Sequence, residues 1–233
     1  MNKDVIIACD FSSAAEVFDF LDLFRNMRKP FVKIGMELFY SEGPSIVREI
    51  NRRGHSIFLD LKLHDIPNTV RKAMRVLSSL DVDMCNVHAA GTKEMMKAAI
   101  EGLTRPDGSR PLLIAVTQLT STGEDRMREE LLINASMEET IARYALNARE
   151  AGLDGVVCSP REASLVKNSC GCDFITVTPG IRFADAASDD QVRVSTPAMA
   201  RENGSDFIVV GRPVTAAADP AASYQRCINE FLI

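Results

Sequence analysis

Phe58-Leu59-Asp60-Leu61-Lys62-Leu63-His64-Asp65-Ile66-Pro67-Asn68-Thr69 starts as an apolar strand and ends by opening a helix. Between those ends it sets two carboxylates and an ammonium within six residues. Successive side chains of a strand point to opposite faces, so Asp60 and Lys62 share a face, about 7 Å apart along the backbone. Charges at the end of a buried strand are costly unless they pair or are used. A structural ion pair at a sheet end is one reading. A catalytic Asp-Lys pair is the other, with Asp65 swung out by the loop to serve elsewhere.

The same order of apolar strand, polar end and helix recurs on both sides of this stretch. Strands are expected over 4–10, 31–36, 56–62, 83–88, 112–119, 155–159, 174–178 and 207–210. Helices are expected from Ser12 or Ser13 to about 27, then over 44–53, 67–80, 93–103, 125–133, 137–151, 160–167, 197–203 and 221–232. Residues 181–194 read as a long polar loop. The strands are continuously apolar, as strands buried on both faces must be. Eight βα units in 233 residues predict one (β/α)₈ TIM-barrel domain over 1–233. An open doubly wound sheet would want a glycine-rich turn after the first strand, and Asp10-Phe11-Ser12-Ser13-Ala14 carries none.

Composition narrows the class. A net charge of -5 disfavours binding nucleic acid through the whole surface, yet leaves room for a local basic pocket. Of six cysteines, Cys9, Cys85 and Cys158 sit in strand-like runs and read as small buried hydrophobes. Cys170-Gly171-Cys172 does not match zinc or redox spacing, so no metal and no structural disulfide is expected. The chain runs from Met1 straight into a strand and has no apolar run long enough for a membrane. A cytoplasmic protein without membrane association is the expectation.

Active sites of such barrels lie at the C-terminal ends of the strands. Asp10, Lys33, Asp60 and Lys62 fall there on three adjacent strands and alternate in sign. Alternation keeps each group ionised despite burial, because each has an opposite neighbour. Thr178-Pro179-Gly180-Ile181-Arg182 and Val210-Gly211-Arg212 place glycine and arginine at the ends of the seventh and eighth strands. That is where many barrels bind phosphate. His88, at the end of the fourth strand, reads as a satisfied structural residue or a site residue. His55 and His64 read as structural or solvated. A phosphate anchor, two lysines and two aspartates suit a cofactor-free lyase or isomerase acting on a phosphorylated small molecule.

Asp60-Leu-Lys62-Leu-His-Asp65-Ile-Pro-Asn-Thr69 resembles the Asp-x-Lys-x-x-Asp signature of the bacterial orotidine 5′-phosphate decarboxylases. The likeness extends to Asp10, Val32-Lys-Ile-Gly35, Asn86-Val-His-Ala-Ala-Gly91, Leu119-Thr120-Ser, Val177-Thr-Pro-Gly-Ile-Arg182, Asp190-Gln191 and Val209-Val-Gly-Arg212. One departure is Thr92, where a second glycine is expected. The resemblance implies decarboxylation of orotidylate to uridylate, the last step of pyrimidine synthesis, with no metal or organic cofactor. It implies that Lys62 donates the proton, that Asp60 sits against the substrate carboxylate, and that Lys33 and Asp10 hold ribose hydroxyls. It implies a pyrimidine contact for Thr120 and substrate-binding roles for Pro179, Arg182, Gln191, Gly211 and Arg212, the last three at the phosphate. It also implies a homodimer in which Asp65, with Ile66 and Thr69, reaches into the neighbouring site. Two rivals keep the scaffold: a magnesium-dependent sugar-phosphate enzyme, which would carry a glutamate in place of Lys33, and a non-catalytic nucleotide-binding protein.

Overall fold

The computed structural model describes residues 3–185 and 195–233. Its strands are β1 (Asp4–Ala8), β2 (Phe31–Ile34), β3 (Ile57–Leu63), β4 (Met84–His88), β5 (Leu112–Val116), β6 (Gly155–Val157), β7 (Ile175–Thr178) and β8 (Phe207–Val210). Each is hydrogen-bonded in parallel to the next in sequence, and β8 closes on β1. This is a (β/α)₈, or TIM, barrel.

The outer layer holds α1 (Ala14–Asp22), α2 (Met36–Glu42), α3 (Pro44–Arg52), α4 (Pro67–Leu77), α5 (Thr92–Leu103), α6 (Glu124–Glu129), α7 (Met137–Ala151), α8 (Ala163–Cys170), α9 (Pro197–Glu202), α10 (Arg212–Thr215) and α11 (Pro220–Leu232). Local chemistry sets their ends. The Ser13 hydroxyl, not that of Ser12, accepts from the Glu16 N–H to start α1. A reciprocal Ser136–Glu139 capping box opens α7, and Gly152 closes it at φ 93°. Proline stands in the first turn of α4, where its missing N–H costs nothing. Among the described residues no helix is long and apolar enough to cross a membrane.

Side-chain parity builds two cores. Val5, Ile7, Val32, Ile34, Ile57, Leu59, Ile208 and Val210 face outward and are buried under the helices. Ile6, Ala8, Phe31, Phe58, Met84, Ile114, Ile175, Val177, Phe207 and Val209 form a separate apolar cluster that fills the barrel. One pleat further along the inward face come Lys33 after Phe31, Asp60 after Phe58, and Asn86 after Met84. The barrel therefore has an apolar floor with a polar layer directly above it, on the C-terminal side.

Several boundaries differ from the sequence expectation. β1 stops at Ala8 and β5 at Val116, short of the expected ends, although the N–H groups of Cys9 and Thr117 still bond the Lys33 and Val157 carbonyls. The segment 160–167 starts as a 3₁₀ turn over Pro160–Glu162 before α8 begins. Two helices, α2 and α10, have no counterpart among the expected ones.

Candidate active site

Asp10, Lys33, Asp60 and Lys62 form one continuous chain of ion pairs at the mouth of the barrel. Lys33 Nζ lies 2.9 Å from Asp10 Oδ1 and 3.4 Å from Asp60 Oδ2. Lys62 Nζ lies 2.7 Å from Asp60 Oδ1. The inner members are the most enclosed: the side chains of Asp60 and Lys33 are 9% and 11% exposed, against 27% for Lys62 and 59% for Asp10.

Burial alone would push the Asp60 carboxyl up. Lys33, then Lys62, outweigh it, with hydrogen bonds from Lys62 and Asn86, and hold it below the usual carboxylate range. Burial likewise works against the Lys33 ammonium, but Asp60 and Asp10 keep it above its ordinary value. Both groups are charged at neutral pH, and each is the reason the other is.

The β3 backbone departs from simple alternation just where these charges sit. Leu59 pairs with Cys85 and Leu63 with Val87, so a four-residue step on β3 matches a two-residue step on β4. Lys62 takes up the slack at φ 52°, a left-handed conformation that costs a non-glycine residue about 1–2 kcal/mol. Asp60 and Lys62 thus meet through a bulge, not through the regular pleat expected of this stretch.

Two participants were not singled out from the sequence. Asn86 is 1% exposed. Its Nδ2 donates to Asp60 Oδ1 at 2.7 Å, and its Oδ1 accepts from the Lys62 N–H at 2.8 Å. A backbone N–H can only donate, which settles the amide orientation. The available signal was a lone polar residue inside Met84-Cys-Asn-Val-His88, the same signal that drew attention to Lys33. Gly35 is the second. A Cβ there would stand 3.0 Å from Asp10 Oδ1 and 3.3 Å from Lys33 Nζ, so a side chain would crowd that pair.

A cavity of about 210 Å³ opens beside the charge chain. Lys33, Asp60 and Lys62 line it with Thr120, Pro179 and the floor residues Phe58 and Val209. Gly211 and Arg212 lie immediately beyond β8, with Arg212 opening α10. Arg182 follows β7, its N–H bonded to the Ser195 carbonyl at 3.0 Å. These three do not line the cavity, and Gln191 lies outside the described residues.

Asp65, Ile66 and Thr69 are not brought to this cavity. All are exposed, Ile66 to 66%, and Asp65 accepts a hydrogen bond from the neighbouring Ile66 N–H. His88 ends β4 on the inward side, with its ring centroid 5.5 Å from that of His64. Burial, then His64 and Lys62, push its pKa down against the pull of Asp60, so the imidazole is neutral at pH 7. His55 is a buried structural residue whose Nδ1 meets the Pro30 carbonyl at 3.0 Å. Among the described residues no three His, Cys, Asp or Glu side chains converge as a metal-binding group.

The family model for "Orotidine 5′-phosphate decarboxylase / HUMPS family" matches residues 3–227. A protein of Geobacillus sp. (strain WCH70) named orotidine 5′-phosphate decarboxylase is 55% identical, with 99% of this chain and 98% of that protein aligned. The protein of that name from Bacillus caldolyticus is 56% identical over 99% of this chain and 96% of its own. The crystal structure of the Lactobacillus acidophilus protein, also so named, superposes with a TM-score of 0.89 at 41% identity, over the whole of both chains. An uncharacterized conserved protein from Geobacillus kaustophilus gives a TM-score of 0.86 at 50% identity, over 97% of this chain and 99% of its own. With its barrel, its charge chain and this degree of likeness from end to end, the chain belongs to the orotidine 5′-phosphate decarboxylase / HUMPS family.

Proposed function

We propose that this protein decarboxylates orotidine 5′-monophosphate to uridine 5′-monophosphate, the last step of pyrimidine synthesis, without a metal or organic cofactor. One observation carries the reading: the unbroken Asp10–Lys33–Asp60–Lys62 chain beside a cavity at the barrel mouth. The magnesium-using sugar-phosphate relatives carry a glutamate at the position of Lys33. An ammonium in that place repels a divalent cation, so the residue identity favours the nucleotide reaction.

In this reading the bond from the pyrimidine ring to the carboxylate breaks heterolytically, and carbon dioxide departs. The electron pair stays on the ring carbon, which has no delocalising sink. The Lys62 ammonium stabilises that carbanion and then protonates it. Asp60 aims Lys62 through their 2.7 Å ion pair and stands against the substrate carboxylate. Lys33 and Asp10 hold the ribose hydroxyls. Thr120 meets the pyrimidine. Pro179, Arg182, Gln191, Gly211 and Arg212 bind the rest of the nucleotide, chiefly its phosphate. Binding energy from that remote phosphate is available to align the reacting carbon.

Asp65, Ile66 and Thr69 serve the neighbouring site of a cytoplasmic homodimer. Their exposure and their place outside the cavity lining support that assignment. Mixing inactive Lys62→Ala with inactive Asp65→Ala should restore part of the activity; no recovery after confirmed subunit exchange would refute shared sites. The reaction itself is tested by following loss of orotidylate absorbance in EDTA. The wild type should turn over undiminished by the chelator, and Lys62→Ala should be nearly inert. A magnesium requirement, or an active Lys62→Ala, would sink the mechanism.

A further inference from the structure

We infer that Asn86 is a positioning residue of the reaction: its side-chain amide bridges the Lys62 backbone and the Asp60 carboxylate and so sets where the proton donor stands. The inference rests on the function proposed above, in which Lys62 delivers the proton.

The argument begins with a gap in the ladder. Between the Leu59–Cys85 and Leu63–Val87 pairs, β3 carries two more residues than β4. The Lys62 N–H falls in that gap. Asn86 lies directly across from it, between Cys85 and Val87, with its side chain on the inward face. Its Oδ1 takes the Lys62 N–H at 2.8 Å. Its Nδ2 reaches Asp60 Oδ1 at 2.7 Å, the same oxygen that meets Lys62 Nζ at 2.7 Å. One planar, buried group therefore fixes two points at once: the left-handed backbone from which the Lys62 side chain departs, and the carboxylate on which its ammonium rests.

The chemistry of the residue matters as well as its size. The charge chain holds two cations and two anions. A neutral amide adds a donor to Asp60 without adding charge. A carboxylate at position 86 could still accept from the Lys62 N–H, but would face Asp60 with a like charge. Alanine would leave the N–H without a partner in a buried place. The groups around Asp60 are Lys33 from β2, Lys62 from β3 and Asn86 and His88 from β4, with Asp10 one link away through Lys33.

The test compares the wild-type protein with Asn86→Ala and Asn86→Asp. Uridylate titration counts the folded sites, so rates are expressed per competent site. For Asn86→Ala we expect kcat to fall about 10²-fold, the usual effect of misplacing a reacting group by about 1 Å. KM and uridylate affinity should stay within about threefold, because the phosphate end is untouched. The acid limb of the kcat profile should move to higher pH, because Asp60 has lost a donor. Asn86→Asp should show the same shift with a comparable loss of kcat. If Asn86→Ala does not fold, the near-isosteric Asn86→Asp carries the test. A residue that only stabilised the fold would lower Tm and leave kcat per site and the acid limb where they were, and that result would overturn the inference. A crystal structure of either variant gives a reading independent of activity: the Lys62 Nζ–Asp60 Oδ1 contact should open, and its retention would also count against Asn86. A wild type inert toward orotidylate would instead defeat the proposed function, while the structural comparison still judged Asn86.

Discussion

Replacing Thr92 with glycine should stabilise this protein. Thr92 sits at φ 72°, ψ 167°, where the chain leaves the short 3₁₀ turn over Ala89–Gly91 and enters α5. That region of backbone space is essentially glycine's, and holding another residue there costs on the order of 1–3 kcal/mol. Thr92 is exposed, so little packing is lost with its side chain. Glycine also adds freedom to the unfolded chain, which returns about 0.4–1 kcal/mol of the gain. The net stabilisation is then about 1 kcal/mol, or about 2–4 °C in Tm for a chain of this size. The neighbour sets a control. A Cβ on Gly91 would stand 2.2 Å from the Met95 sulfur, so Gly91→Ala should be destabilising at the adjacent position. Thermal unfolding by circular dichroism and urea titration of both variants would decide the matter. A Thr92→Gly protein with unchanged or lower Tm would refute the strain argument and mean that the threonine makes a compensating contact in solution.

Gly155→Ala should cost about 2 kcal/mol or more in urea unfolding, since a Cβ on β6 would meet the Ile175 carbonyl oxygen of β7 at 2.2 Å; a neutral result would mean that the two strands part easily. Tyr224→Phe should be neutral or stabilising by up to about 1 kcal/mol, because its buried hydroxyl has no partner among the described residues while the ring keeps its edge contact with Phe24 at 5.6 Å. A clear loss of Tm would reveal a hidden partner. His55 has its pKa lowered by burial, with Lys29 and Arg53 also acting against its charged form and the Pro30 carbonyl opposing them. Its contribution is therefore present above the unfolded value of about 6.5 and lost as pH falls through the lower folded value. Urea unfolding at pH 7.5 and 5.5 should show a smaller pH effect in His55→Gln than in the wild type; an equal effect would remove His55 from the account.

The barrel was legible because strands buried on both faces have to be written as continuous apolar runs. Ile6-Ile7-Ala8, Ile57-Phe58-Leu59 and Phe207-Ile208-Val209-Val210 declare themselves without reference to one another. Strand ends were less legible, since Cys9 is as apolar as the ladder residues before it and its N–H still bonds the Lys33 carbonyl at 3.0 Å. The helix α2 was hidden because Leu38 is its only buried residue, too little to make a periodic pattern. In the site, alternation of sign on adjacent strand ends pointed to the charge chain, but the route by which Asp60 and Lys62 meet depends on a register shift against β4. Sequence periodicity carries no trace of such a shift. Asn86 was obscure for the same reason: its partners are defined by the bulge of a neighbouring strand.

The charge chain also gives the proposed chemistry charges that already stand in place. Before substrate arrives, two ammoniums and two carboxylates sum to zero, and each buried member is held ionised by an opposite neighbour. The substrate carboxylate adds one negative charge. Loss of carbon dioxide does not change that total; it moves the charge from the departing group onto the ring carbon. Only a group already standing where the charge arrives can favour the transition state over the bound substrate. Lys62 meets that requirement if its ammonium is fixed in advance. The structure fixes it twice, through the Asp60 carboxylate at its tip and through the Asn86 amide at its backbone. A left-handed backbone at Lys62 is a stability cost, and the same bulge that imposes it gives the donor its fixed origin.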